Sequence, residues 1–91
     1  MKVEKKKGRN KMKEKIFEEL REIIYDYLGD DEIEINDDSR FVEDIGLSSL
    51  DLISIVGSIE DTFNIKVLDK DVPNIKTIKD AVEYIKAKTN S

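Results

Sequence analysis

Apolar residues recur along this chain at helical spacing, in three separate stretches. Ile16, Leu20, Ile23, Ile24 and Tyr27 stand at i, i+4, i+7, i+8 and i+11, with Phe17 and Leu28 flanking them. That spacing predicts an amphipathic helix over about 12–28 with these residues facing inward. Gly29 stops it, and Asp30-Asp31 open a loop. Leu52, Ile55, Val56, Ile59 and Phe63 form the inward stripe of a second helix over about 49–63, with Asn64 at its end. Ile78, Ala81, Val82 and Ile85 do the same for a third helix over about 78–88. Thr77-Ile78-Lys79-Asp80 reads as its N-cap, with Asp in the acidic place of a capping box.

The connections are also patterned. The loop after the first helix runs to about Ser39, and alternating Ile33 and Ile35 read as anchors pinning it to the core. Asp37, Asp38 and Ser39 read as caps of a short turn holding Phe41 and Val42, ended by Gly46. Residues 65–74 form a second connection, with one helical turn near Lys70 broken by Pro73. The predicted fold is all-α: a small antiparallel bundle of three main helices plus a short helical turn, with a long loop after the first helix.

Length and composition narrow the chemistry. Ninety-one residues support one domain, with little room for a deep, walled substrate pocket. The chain has no Cys and no His, which excludes disulfides, thiolate nucleophiles and Ser-His or Cys-His catalysis. No apolar run is long enough for a membrane span, and no apolar stretch follows the basic N-terminus as a secretory signal requires. The expectation is a cytoplasmic protein, monomeric and without catalytic residues of its own. The acidic loop Asp30–Asp38 lacks the glycine and terminal glutamate of a calcium-binding EF-hand loop, so no metal is expected.

Charge divides the chain in two. Residues 1–15 hold eight basic and two acidic residues, net +6, whereas residues 16–91 hold eight basic and nineteen acidic, net −11. Residues 1–11 read as a basic, flexible extension without aromatic residues to stack on bases. The acidic domain repels phosphates, which argues against nucleic acid and for partners with basic docking surfaces.

The start of the second helix is where chemistry concentrates. In Phe41-Val42-Glu43-Asp44-Ile45-Gly46-Leu47-Ser48-Ser49-Leu50-Asp51, Ser48 reads as N-cap and Asp51 as N3 of a capping box. Ser49 then stands at N1 with no structural task, beside unpaired N–H groups and the positive end of the helix dipole. A phosphate attached there is electrostatically favoured. On position alone, two serines that merely cap the helix are the better explanation, because serine is common at helix starts.

Taken together, this stretch, Ile59-Glu60-Asp61-Thr62-Phe63 and Ile75-Lys76-Thr77-Ile78-Lys79-Asp80-Ala81-Val82-Glu83-Tyr84-Ile85 resemble the acyl carrier protein family over about residues 12–88. The resemblance implies an acyl-carrier-like helical domain. It implies 4′-phosphopantetheine, taken from coenzyme A by a phosphopantetheinyl transferase, on Ser49. The thiol that the chain lacks would arrive on that arm and carry acyl groups as thioesters to acyl-transfer, condensing or synthetase enzymes of fatty-acid, polyketide or related biosynthesis. It implies an acyl cavity near Ile55, Val56, Ile59, Phe63 and Ile75, and a docking face made of Glu43, Asp44, Leu50, Asp51, Ile53, Glu60 and Asp61. Three positions depart from the family pattern: Ser48 and Ser54 replace acidic residues, and Gly57 replaces a larger apolar one. The alternative is an unmodified helical adaptor that keeps the carrier fold.

Overall fold

The computed structural model describes residues 11–89; the basic extension expected over residues 1–11 lies, apart from Lys11, outside them. The element order is α1 (Lys11–Leu28), α2 (Ser49–Phe63), a short 3-10 helix (Asp69–Asn74) and α3 (Ile78–Thr89). Ile16, Leu20 and Ile24 of α1 are at most 2% exposed and meet Ile55 and Ile59 of α2 and Ile78, Ala81, Val82 and Ile85 of α3 in one core. α1 packs on both other long helices, while α2 and α3 approach each other less closely. No described helix is long and apolar enough to cross a membrane.

α1 ends where Gly29 takes φ +68° and donates its N–H to Tyr25 O at 2.8 Å. A side chain there would be strained, so the stop is written into the glycine. The long loop that follows is held from both sides. Ile35 is buried, Ile33 is half-buried, and Tyr25 donates its hydroxyl to Ile33 O at 3.1 Å. Farther on, the backbone latches onto the start of α3: Phe41 N–H bonds Lys76 O and Ile78 N–H bonds Ser39 O, each at 3.0 Å, around an antiparallel bridge between Arg40 and Thr77.

Three local expectations are corrected. Tyr27 does not face the core: it is 43% exposed, on a different side of the last turn of α1 from Leu28, which packs against the core, and its hydroxyl bonds Asp51 of α2. Asp37, Asp38 and Ser39 do not cap the Phe41 turn. Ser39 instead closes its own small turn with Asn36, accepting the Asn36 N–H at 3.0 Å, while Asp44 Oδ2 accepts the Arg40 N–H at 2.8 Å and closes the turn from its far end. Pro73 does not break the short helix but lies inside it, since the Ile75 N–H reaches back to Val72 O at 3.0 Å without needing a proton on Pro73.

The expected cap of α3 forms. Asp80 N–H bonds Thr77 Oγ1 at 3.1 Å, and Asp80 Oδ2 accepts the N–H groups of Thr77 and Lys76 at 3.2 and 3.1 Å. The Lys76 bond is the main reason the Asp80 carboxyl is held below its ordinary pKa.

Candidate functional site: the first turn of α2

Residues 40–46 turn back on themselves, and Gly46 at φ +88° makes the last reversal before α2. Leu47 follows, 2% exposed, with its N–H on Phe41 O at 2.9 Å. This buried residue fixes where the helix begins. Ser48 is the N-cap, in extended conformation, and its Oγ accepts the Asp51 N–H at 3.2 Å. Asp51 Oδ2 accepts the Ser48 N–H at 2.8 Å, completing the capping box.

The two serines therefore differ. Ser48 Oγ is engaged in the cap. Ser49, the first residue of α2, is exposed, and no described residue hydrogen-bonds its hydroxyl. Its own N–H and that of Leu50 belong to the first turn and have no intrahelical acceptor. An anion bonded to Ser49 would meet these donors and the positive end of the helix dipole.

Asp51 also reaches outside α2. Its Oδ1 accepts the hydroxyl of Tyr27, in the last turn of α1, at 2.6 Å. The Ser48 N–H first and the Tyr27 hydroxyl second hold the Asp51 carboxyl below its ordinary pKa. The same bond to Asp51 is the main reason the Tyr27 phenol is held above its ordinary pKa, with the Ser54 hydroxyl opposing the rise.

The residues expected to dock partners separate into two groups. Leu50 and Ile53 are 76% and 67% exposed, unusually open for large apolar side chains. Glu43 and Asp61 are exposed as well. Asp44, Asp51 and Glu60 are each engaged within the fold. Asp44 pairs with Arg40 at 3.2 Å, which lowers the carboxyl and raises the guanidinium. Glu60 Oε2 accepts the Val67 N–H at 2.8 Å and folds the connection after α2 back along the helix. Beside Ile53 runs an open groove of about 470 Å³, walled by Val56, Gly57 and Glu60 on one side and Lys66–Asp69 on the other. Gly57 leaves open space where a side chain would stand.

Behind α2 is an apolar cavity of about 40 Å³. Ile55, Val56, Ile59 and Ile75 are among its lining residues. Phe63 is not: it sits half-buried against the core at the end of α2, beyond the cavity, where Asn64 turns left-handed at φ 56°. The remaining wall comes from Phe41, Leu52, Val67, Val72, Ala81, Tyr84 and Ile85. Val67 and Val72 carry no helical period in the sequence, so only the fold brings them here. Tyr27 and Arg40, which tie down Asp51 and Asp44, were likewise not visible as site residues. Among the described residues no three acidic side chains gather where they would hold a metal ion.

The family model for the phosphopantetheine attachment site matches residues 18–85. The acyl carrier protein of Solidesulfovibrio magneticus is 38% identical over 73 residues, covering 80% of this chain and 94% of that protein. That of Clostridium acetobutylicum is 38% identical over 74 residues, covering 81% and 96%. The crystal structure of an acyl carrier protein from Thermotoga maritima superposes with a TM-score of 0.78 over 90% of this chain and 95% of that one. At 24% identity that last likeness speaks to the fold.

Proposed function

This chain belongs to the acyl carrier protein family, and on that premise we propose that Ser49 is the residue that bears its 4′-phosphopantetheine. When bound, the group supplies a terminal thiol on which acyl groups ride as thioesters; the polypeptide is their carrier. The observation that carries the assignment to Ser49 is the contrast between neighbours: Ser48 Oγ accepts the Asp51 N–H, while the exposed Ser49 hydroxyl has no such bond. The Ser49 oxygen would bond the phosphorus that carries the pantetheine arm, the pyrophosphate P–O bond of coenzyme A would break with adenosine 3′,5′-bisphosphate as leaving group, and the hydroxyl proton would pass to a base of the modifying enzyme. The capping box keeps the turn in place, and the free N–H groups face the new negative charge.

The modifying enzyme is a phosphopantetheinyl transferase drawing on coenzyme A. It and the acyl-transfer, condensing or synthetase enzymes of fatty-acid, polyketide or related biosynthesis dock on the exposed side of α2. Leu50 and Ile53 enter apolar pockets there, and Glu43 and Asp61 meet basic residues at the rim. Asp44, Asp51 and Glu60 contribute charge to the same field while bonded within the fold. The carrier works as a cytoplasmic monomer.

The apolar cavity behind α2 shelters part of the cargo. About 40 Å³ leaves room for only a few water-sized groups, so a long chain enters by parting the walls.

Intact-mass measurement after incubation with a transferase and coenzyme A tests the assignment. The wild-type chain gains the mass of one phosphopantetheine, Ser48→Ala gains it too, and Ser49→Ala does not. A group found on Ser48, or on no residue, overturns the assignment. Partner binding indifferent to Ser49→Ala in a chain that gains no mass would mark an unmodified adaptor.

A further inference from the structure

The first turn of α2 is anchored by apolar groups only at its edges, with Leu52 half-buried against the core and no fully buried side chain within the turn. Leu47, just before it, is buried, and the next fully buried residue is Ile55. Between them Ser48, Ser49 and Leu50 are all exposed, and Leu52 is half-buried. The capping box ties this turn to itself, since both of its bonds join Ser48 and Asp51. It does not tie the turn to the rest of the bundle.

Tyr27 does. Its hydroxyl donates to Asp51 Oδ1 at 2.6 Å across 24 residues of sequence. The Asp51 carboxylate is thus shared: one oxygen serves the N-cap of α2, and the other serves the last turn of α1. Ser49 lies between the two residues of the box, so whatever orients Asp51 orients the backbone that presents the Ser49 hydroxyl.

Resting on the reading of Ser49 as the attachment residue, we infer that Tyr27 is a positioning residue for that modification. Through Asp51 it holds the first turn of α2 in the orientation that the transferase engages. Without the phenolic hydroxyl the turn populates other orientations, and only a fraction of free carriers is competent to bind. Apparent affinity falls by that fraction, while a carrier already bound reacts as before. One hydrogen bond of ordinary strength sets the size: about a two- to tenfold rise in KM for the carrier, with kcat unchanged.

The experiment uses the full chain as wild type, Tyr27→Phe, Asp51→Ala and the double variant, with a transferase and coenzyme A. Tyr27→Phe raises KM and leaves kcat unchanged. In the Asp51→Ala background it adds nothing, because the tyrosine acts through the carboxylate. Amide hydrogen exchange of unmodified Tyr27→Phe gives a second readout that does not need the double variant to fold: the Asp51 and Leu52 amides exchange faster than in the wild type. Wild-type kinetics and exchange in Tyr27→Phe overturn the inference. An equal KM effect in both backgrounds also overturns it, since the ring would then touch the transferase itself. If the wild-type chain gains no mass, the attachment reading fails and this inference with it. Mass on Ser49 with an unmoved KM sinks this inference alone.

Discussion

Tyr84 of α3 donates its hydroxyl to Asp71 Oδ2 at 2.7 Å, and the Tyr84 hydroxyl oxygen in turn accepts the Leu68 N–H at 3.3 Å. These two bonds tie α3 to the 3-10 helix, which has no fully buried residue of its own. Val72 and Tyr84 both line the apolar cavity, so the pair braces one of its walls. Tyr84→Phe should keep the ring in the wall and lose the brace. We expect a loss of about 0.5–1.5 kcal/mol in urea denaturation. Amide exchange should rise at Leu68 while the α1 core amides keep pace only with the global loss.

The two neighbouring serines should separate by stability alone. Ser48→Ala removes the acceptor of the Asp51 N–H and should cost about 0.5–2 kcal/mol. Ser49→Ala removes an exposed hydroxyl without a described partner and should stay within about 0.5 kcal/mol of the wild type. Thermal melts suffice to read the difference, since about 1 kcal/mol shifts the midpoint of so small a domain by roughly 4–8 °C.

Apolar residues should divide the same way. Ile24 is fully buried, and Ile24→Ala should cost about 2–5 kcal/mol through lost transfer energy and the hole left behind. That is a large part of the total stability of a domain this size. Leu50 and Ile53 are mostly exposed, so Leu50→Ala and Ile53→Ala should change urea midpoints little. The same two variants should weaken capture by the transferase, measured as a higher KM for the carrier.

Acid should unfold this protein through a small set of carboxylates. Asp44, Asp51 and Asp80 are each held below the ordinary range, by Arg40, by the Ser48 N–H and by the Lys76 N–H respectively. The unfolded chain therefore binds more protons than the folded one as the medium turns acidic. Their stabilising contribution is complete above the unfolded pKa of about 4 and disappears as pH falls through the lower folded values. Urea midpoints should be flat near neutrality and drop below about pH 4. Asp80→Asn should show a shallower drop than the wild type.

Much of the fold can be read without coordinates. The bounds of α2 and the two capping boxes, Ser48 with Asp51 and Thr77 with Asp80, follow from residues three apart. The inward faces of Ile16, Leu20 and Ile24, and of Ile55 and Ile59, follow from helical spacing. So does the distinction between a serine that caps and a serine left over. Such features are local: the partners lie within one turn, and the backbone brings them together wherever the helix forms.

The tertiary structure decided the rest, and the reason is distance along the chain. Tyr27 has the spacing of a core residue, yet its ring stays largely exposed and its hydroxyl finds Asp51 of α2 instead. Asp44 rather than Asp37 or Asp38 closes the turn before the site, because Arg40 places both its backbone N–H and its guanidinium beside that carboxylate. Phe63 fits the stripe of α2 but ends beyond the cavity, whose wall is completed by Val67, Val72 and Tyr84 from other segments. Amino-acid order alone determined three amphipathic helices and a serine at the tip of the second. Which side chains tie that tip to its neighbours depended on packing between segments that no local period connects.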